Sequence, residues 1–235
     1  MTNRTTPSAR HIILDTDIGT DVDDAMALAV ILGSPQLQLD AVTTVYGDTA
    51  LRARLAGRYA HLAGRTILTA AGQGDTLSGK EVWWPGHEGT LHSDLDQETI
   101  DGRDGVDLLA EILRTSDHEV ELVAIGPLTN IALLIRRHPL VVDRIKHLWV
   151  MGGAFDDSRT EHNFRSDATA AAEVFAAGVP TRLFEVPIYP GPAGNITPSW
   201  DMTADAQKFL VTTLVGSNTS PPFTVVLNWE TALKR

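Results

Sequence analysis

Short apolar runs alternate with helical segments along most of the chain. The runs 11–15, 37–47 and 120–126 are rich in branched apolar residues, and a segment with helical character follows each of them. Strands that alternate with helices build parallel βαβ units, and near-continuous apolar strands are typical of a sheet covered on both faces. The sequence therefore predicts an α/β fold with an open, mainly parallel sheet and helices on both faces. The other predicted strands are 66–72, 147–155 and 181–187, and the predicted helices are 23–32, 49–64, 106–114, 128–138 and 167–178.

The chain carries no internal repeat and no low-complexity linker. We therefore expect residues 11–235 to form one domain behind a disordered N-terminal tail over 1–10, with a further helix near 203–215. Residues 73–104 carry few periodic signals and predict a long loop. A loop of that length inside a compact domain is usually functional or partly disordered.

Charge and composition narrow the kinds of partner. The formal net charge of −11 argues against a nucleic-acid surface, which needs clustered Lys and Arg. No apolar run approaches the roughly 18 residues of a membrane span, and the polar N-terminal segment lacks the apolar core of a signal peptide. The absence of cysteine excludes disulfides, thiolate metal sites and cysteine nucleophiles. We expect a cytoplasmic protein that acts on a small molecule, without nucleic-acid or membrane partners.

Five aspartates crowd into the short segment that follows the first predicted strand. Burying unpaired carboxylates costs several kcal/mol each, so the crowding needs a reason. In an open parallel sheet, ligands bind outside the carboxyl ends of the strands, which is where this segment lies. Capping of the next helix accounts for one or two carboxylates, whereas a hard cation such as Ca²⁺, which prefers clustered oxygen ligands, accounts for more. The five are Asp15, Asp17, Asp21, Asp23 and Asp24.

Two hydrolase families place such aspartates after a first strand. Haloacid-dehalogenase-type phosphatases use a DxDx(T/V) pattern, but here Gly19 occupies the Thr/Val position. The segment DTDIGTDVDDAMAL (15–28) more closely resembles the DTDxGxDxDDAxAL signature of the inosine-uridine-preferring nucleoside hydrolases. The similarity covers roughly residues 11–187. Further stretches that resemble family segments, in the same order, are LDAVTTVYGDT (39–49), IGPLTNIALLIRRHP (125–139), WVMGGAF (149–155) and EHNFRSDATAAAEVFAAGVP (161–180).

The resemblance implies a Ca²⁺-dependent hydrolase of purine and pyrimidine salvage, which cleaves the N-glycosidic bond of a ribonucleoside to free base and ribose. Asp17 and Asp24 would coordinate Ca²⁺ together with the main-chain carbonyl of Thr129, and Asp17 would also be the general base for the attacking water. The family likeness further implies a homo-oligomer, either a dimer or a tetramer. The implied contacts to the nucleoside come from Asp23, Asp48, His87, Met151, Glu161 and Asn163.

The sequence departs from the family towards its end. Family members carry a further Asp, usually in an HDP context, that completes the metal shell, and this chain has no such motif. We therefore expect a C-terminal part that is truncated relative to the family. Two alternatives stay open, a catalytically impaired homologue that binds ribose or metal and a haloacid-dehalogenase-like phosphatase. The products separate the three: free base with ribose, binding alone, or inorganic phosphate.

Overall fold

The computed structural model describes residues 9–153 and 161–184, together with three short strands later in the chain. The chain divides into two compact units, Met1–Glu185 and Val186–Arg235. Of the predicted disordered tail, residues 1–8 lie outside the described residues, and Arg10 already begins the first strand. The prediction of one domain over 11–235 stays a prediction.

The first unit contains a six-stranded sheet in which every neighbouring pair is parallel. The strand order is β3-β2-β1-β4-β5-β6, so the predicted open α/β sheet is confirmed. The strands are β1 (Arg10–Thr16), β2 (Leu37–Thr44), β3 (Thr69–Ala71), β4 (Val120–Ala124), β5 (Ile145–Met151) and β6 (Thr181–Phe184).

Helices cover both faces of this sheet. Successive side chains of a strand point to opposite faces, and Ile13 and Leu14 of β1 accordingly enter two different apolar cores. The core around Leu14 includes residues of the first two helices, and the core around Ile13 includes residues of three later helices. The helices are α1 (Asp23–Gly33), α2 (Thr49–Leu62), α3 (Gly105–Thr115), α4 (Thr129–Arg137), α5 (His162–Ser166) and α6 (Ala168–Ala176).

Several predicted boundaries shift. β2 ends at Thr44 instead of residue 47, because Tyr46 (φ 70°) and Gly47 (φ 81°) turn the chain into the left-handed region. Residues 73–104 form the predicted loop, whose only helical turn is the 3₁₀ turn Leu95–Gln97. Among the described residues, no helix is both long and apolar enough to cross a membrane.

The second unit contains a small antiparallel sheet, in which β8 (Lys208–Val211) pairs with β7 (Trp200–Met202) and with β9 (Thr224–Leu227). The helix predicted near 203–215 is therefore wrong where the chain is described. Residues 209–211 are Phe, Leu and Val, a continuous apolar run that suits a strand between two partners better than one face of a helix.

Candidate active site

The aspartate segment lies at the point where the sheet reverses its winding. β1 leads through α1 to β2 on one side, and its other neighbour, β4, leads through α4 to β5 on the opposite side. Ligands of open α/β sheets bind in the crevice that opens at such a point. Gly126, just after β4, makes the approach close: a Cβ there would lie 2.8 Å from Asp17 Oδ1 and 2.8 Å from Val45. The end of β4 thus packs directly against Asp17.

Asp15 is a buried carboxylate that joins three elements. Its Oδ1 accepts hydrogen bonds from the Thr43 hydroxyl of β2 (2.6 Å) and from the Asn130 amide of α4 (2.7 Å). Its Oδ2 is buried and finds no hydrogen-bond partner among the described residues, and the same holds for Asp23 Oδ1. Burial raises the pKa of Asp15 to about 6 against the opposition of these two hydrogen bonds. Two carboxylate oxygens of the segment therefore receive no hydrogen bond from the described residues and are available to a bound cation.

The pKa values of Asp17 and Asp24 are raised by burial and by the neighbouring carboxylates. Burial raises the pKa of Asp17 to about 7, and the charges of Asp23 and Asp15 act in the same direction. Burial and the charges of Asp17 and Asp23 raise the pKa of Asp24 well above its usual range, although the Thr16 hydroxyl donates a hydrogen bond to it. A positive charge bound among these carboxylates would remove the repulsion.

Within the described ranges, no three of the aspartate carboxylates bring one oxygen each to within 4.8 Å of one another. The charges act in pairs: Asp17 raises the pKa of Asp24, and Asp23 raises the pKa of both.

Arg52 of α2 is fully buried and holds the aspartate segment in place. Its guanidinium donates hydrogen bonds to the main-chain carbonyls of Asp17, Ile18 (2.7 Å) and Tyr46 (2.7 Å). Its carbon lies 4.8 Å from the centroid of the Trp84 ring, in a cation–π arrangement. The positive charge of Arg52 also lowers the pKa of Asp17, against the larger effect of burial. Sequence reasoning missed this role, because an arginine in a helix is ordinarily solvated.

Thr129 begins α4 and is buried. Its hydroxyl donates a hydrogen bond to Asp167 Oδ2 (2.7 Å), and Asp167 also accepts from the main-chain amides of Leu77 (2.7 Å) and Ser78 (3.0 Å). Asp167 thereby ties the 73–104 loop to α4. Sequence reasoning missed this buried carboxylate. The role predicted for Thr129 uses its carbonyl and stays a prediction.

Three predicted ribose contacts gather at the ends of β4 and β5. The Asn163 side-chain amide donates to the carbonyls of Ile125 (2.7 Å) and Met151 (3.2 Å), so it bridges the two strands. Glu161 caps α5 by accepting from the amides of Asn163 (2.7 Å) and Phe164 (3.0 Å). Because the Ile125 amide donates to the Asp15 carbonyl (2.9 Å), this group adjoins the aspartate segment.

Of the other predicted contacts, Asp23 belongs to the aspartate segment, and two lie at its margin. Asp48 is exposed and caps α2 by accepting from the Leu51 amide (2.9 Å). His87 is exposed, and its Nε2 lies 2.8 Å from the Thr20 carbonyl of the aspartate segment. The adjacent Glu88 is buried and accepts from the Thr20 hydroxyl (2.9 Å). The long loop therefore touches the segment through His87 and Glu88. The contact that the structure shows for Asp48 is the cap of α2, and its role toward ribose stays a prediction.

An aromatic cluster beside the aspartates was also missed. The His162 ring packs edge-on against Tyr46 (6.1 Å between centroids) and Trp83 (6.0 Å). The Tyr46 hydroxyl accepts from the Trp83 amide (2.8 Å). Burial lowers the pKa of His162, although the nearby charges of Asp21 and Asp23 oppose the shift. These rings come from three distant segments, so only the tertiary fold brings them together.

The chain is similar to proteins of one family. The family model described as "Inosine-uridine preferring nucleoside hydrolase" matches residues 12–220. Over 181 residues the chain is 34% identical to the non-specific ribonucleoside hydrolase RihC of Salmonella paratyphi A, covering 72% of this chain and 59% of that protein. Over 188 residues it is 37% identical to the pyrimidine-specific ribonucleoside hydrolase RihA of Enterobacter sp. strain 638, covering 73% and 58%. The solved structure of a plant nucleoside hydrolase, PpNRh1, matches with a TM-score of 0.68 at 28% identity, over 76% of this chain and 60% of that one. The chain thus spans less than two thirds of the length of these relatives.

Proposed function

Because the chain belongs to the inosine-uridine preferring nucleoside hydrolase family, we propose that it is a Ca²⁺-dependent hydrolase that cleaves the N-glycosidic bond of ribonucleosides to free base and ribose. The observation that carries the proposal is the buried carboxylate group at the crevice, in which Asp15 Oδ2 and Asp23 Oδ1 accept no hydrogen bond from the described residues. A carboxylate beside a bound metal ion is suited to take a proton from water that the ion makes more acidic. We place this activity in cytoplasmic purine and pyrimidine salvage.

The residues of the segment fit a hard cation. Asp17 and Asp24, with the carbonyl of Thr129, would hold Ca²⁺. Asp15 and Asp23 each have a buried oxygen without a hydrogen-bond partner among the described residues, which supports a bound cation. Carboxylate and carbonyl oxygens are the ligands that Ca²⁺ prefers. When bound, the ion would make water more acidic and neutralise the carboxylates around it.

The residues of the chain would then have separate roles in proton transfer, charge stabilisation and ribose binding. Asp17 takes the proton of the attacking water. Cleavage of an N-glycosidic bond builds positive charge on the ribose, and the carboxylates of the segment stabilise that charge. Asp23 and Asp48 accept hydrogen bonds from ribose hydroxyls. Glu161, Asn163 and Met151, at the ends of β4 and β5, hold the remaining hydroxyls and the underside of the ring.

The aromatic cluster suits the base. Trp83 is half exposed and packs against His162, on which the charge of Asp23 acts, and flat bases bind well against such ring surfaces. The buried Tyr46 ring supports His162 from behind. Burial lowers the pKa of His162, which favours the neutral ring and suits it to packing against a base. His87 contacts the substrate from the same loop as Trp83.

Release of ribose tests the proposed function. We expect the protein to liberate free base and ribose from at least one member of a panel of purine and pyrimidine nucleosides in saturating Ca²⁺, and to stop when the ion is chelated. If the protein binds ribose but cleaves no nucleoside, it is a catalytically impaired homologue. If it releases inorganic phosphate from phosphomonoesters, the phosphatase interpretation is favoured. A rate that rises more steeply than linearly with protein concentration would support a homo-oligomer whose neighbouring subunit completes the site.

Calcium should stabilise the folded protein, and Asp24→Ala, which removes both carboxylate oxygens, should remove that effect. A ligand that binds only the folded state adds about 2.7 kcal/mol at a hundred times its dissociation constant. For a unit of this size that raises Tm by about 5–10 °C. Thermal unfolding with and without Ca²⁺ measures the shift. An Asp24→Ala variant that keeps the full shift would contradict the assignment, as would a wild type that shows none.

The shift should also depend on pH. The folded-state pKa values of about 6 for Asp15 and about 7 for Asp17 lie above the ordinary 3.8. Their contribution to the stability of the metal-free protein is therefore full below pH 3.8 and is lost as the pH rises through about 6–7. Protons compete with the ion for these oxygens. Calcium should thus raise Tm little at about pH 5 and strongly at about pH 8.

A further inference from the structure

Two histidines and an aspartate meet near the amino-terminal ends of the central strands, away from the aspartate segment at the carboxyl ends. His11 lies near the start of β1, and His118 lies just before β4. Asp40 sits in β2 where the pairing register with β1 shifts between Ile12 and Ile13, so it occupies a β-bulge. A bulge re-aims a side chain, and here the Asp40 carboxylate meets both imidazoles. The group lies four residues before Asp15 along β1, or about 13 Å.

The donor atoms of this group are already close together. Asp40 Oδ1 lies 2.9 Å from His11 Nδ1, and Asp40 Oδ2 lies 3.2 Å from His118 Nε2. All three donors lie within 4.8 Å of one another, and no other such group of three is found in the described part of the chain. Around a metal with bonds of about 2.0–2.2 Å, neighbouring ligand atoms are roughly 3.3 Å apart. A small dication therefore fits with little movement.

Asp117 fixes the orientation of the His118 ring. Its Oδ1 lies 3.0 Å from His118 Nδ1, so that nitrogen donates its proton to Asp117. The lone pair of Nε2 in a neutral ring then faces the Asp40 carboxylate, an arrangement that requires a second proton or a cation between them. A carboxylate behind a histidine whose other nitrogen faces a shared centre is the usual outer shell of a histidine metal ligand.

The two imidazoles approach the same carboxylate side by side. The His11 and His118 rings stack with centroids 3.5 Å apart, and each presents a nitrogen to Asp40. A dication between these atoms would satisfy the Asp40 carboxylate and the lone pairs of both rings.

We propose that His11, Asp40 and His118 form a second metal site, which binds Zn²⁺ through two imidazole nitrogens and one carboxylate. Imidazole ligands suit Zn²⁺ and related transition metals, whereas Ca²⁺ prefers oxygen alone. Three protein ligands leave a fourth position for water. The ion would join β1, β2 and the segment before β4, and would bind independently of the aspartate segment.

Cobalt uptake tests the site, because Co²⁺ bound to nitrogen ligands absorbs visible light. The probe is Co²⁺, followed by competition with Zn²⁺, on protein kept in saturating Ca²⁺. We expect a stoichiometric absorption band in the wild type and in Asp24→Asn, but at least a 100-fold weaker affinity in His118→Gln and Asp40→Asn. His138→Gln is the matched control, since His138 also contacts an aspartate, Asp107 (2.9 Å), but lies outside this group.

Asp117→Asn keeps the test decisive if a ligand variant fails to fold, because the Asp117 side chain is 99% exposed. Loss of an outer-shell carboxylate should weaken Co²⁺ affinity by about 10- to 100-fold. Absence of the band in the wild type, or an equal band in His118→Gln, would overturn the proposal and leave a proton-bonded histidine–aspartate cluster. Absence in Asp24→Asn alone would instead place the ion at the aspartate segment. Ribose release enters none of these readouts, so the outcome is separate from that of the proposed activity.

Discussion

Replacing Asp17 by Asn should lower the rate of ribose release by about 100- to 10,000-fold, with little change in nucleoside affinity. The amide cannot accept the proton of the attacking water, but it keeps one coordinating oxygen and the size of the side chain. The fold should survive, because Arg52 holds the main-chain carbonyl of residue 17 rather than its carboxylate. Steady-state kinetics should show a fall in kcat and a KM near that of the wild type.

Asp21→Asn is the matched control for this experiment. It removes the same charge from the same segment, but Asp21 is exposed. We expect its kcat to stay within a few-fold of the wild type. Equal losses in the two variants would mean that the total charge of the segment, and not proton transfer at Asp17, limits the rate. An Asp17→Asn variant with a KM raised as much as its kcat is lowered would point to a binding role.

The parts of the site that the sequence predicted are those that it holds in contiguous motifs. Asp17 and Asp24 lie within one strand-to-helix crossing, and the alternation of strands and helices already puts that crossing at the carboxyl edge of a parallel sheet. Glu161 and Asn163 come from the resemblance of residues 161–180 to a family segment, and the structure places both at the start of α5. Their roles toward the substrate stay predictions.

Residues that reach the site from other elements were not predictable. Arg52 and Arg58 share α2, yet Arg52 is fully buried against the aspartate segment, while Arg58 is partly exposed and pairs with Glu98. Nothing in the spacing of arginines along a helix tells which one faces a buried group. Tyr46 and His162 likewise meet only because the end of β2 and the start of α5 lie near the same crevice. Tertiary packing decides these contacts.

The error near 203–215 has the same origin. A short apolar run such as residues 209–211 is compatible with either a buried strand or a helix. The strand forms here because neighbours on both sides, β7 and β9, supply antiparallel partners. Such partners lie at a distance along the chain that a local window does not sample.

Arg52→Met should destabilise the protein by about 3–5 kcal/mol, the usual cost of removing one side of a buried polar contact. For a unit of this size the loss lowers Tm by about 6–20 °C. Two effects add. The carbonyls of Ile18 and Tyr46 lose their donor, and the carboxylates of Asp17 and Asp24 lose the nearest positive charge. Arg114→Met, at an exposed position of α3, should change Tm by little.

Adding Ca²⁺ distinguishes the hydrogen bonds that Arg52 donates from the positive charge that it places beside Asp17 and Asp24. A bound dication replaces the missing positive charge beside Asp17 and Asp24, but it cannot donate hydrogen bonds to the orphaned carbonyls. Saturating Ca²⁺ should therefore restore part of the lost Tm in Arg52→Met. Arg52→Lys, which keeps the charge but not the planar fork of donors, should lie between the wild type and Arg52→Met without the ion. Full recovery of Arg52→Met by Ca²⁺ would show that the arginine acts through its charge alone. No recovery at all, in a variant that still binds Ca²⁺, would leave its hydrogen bonds to the aspartate segment as its whole contribution.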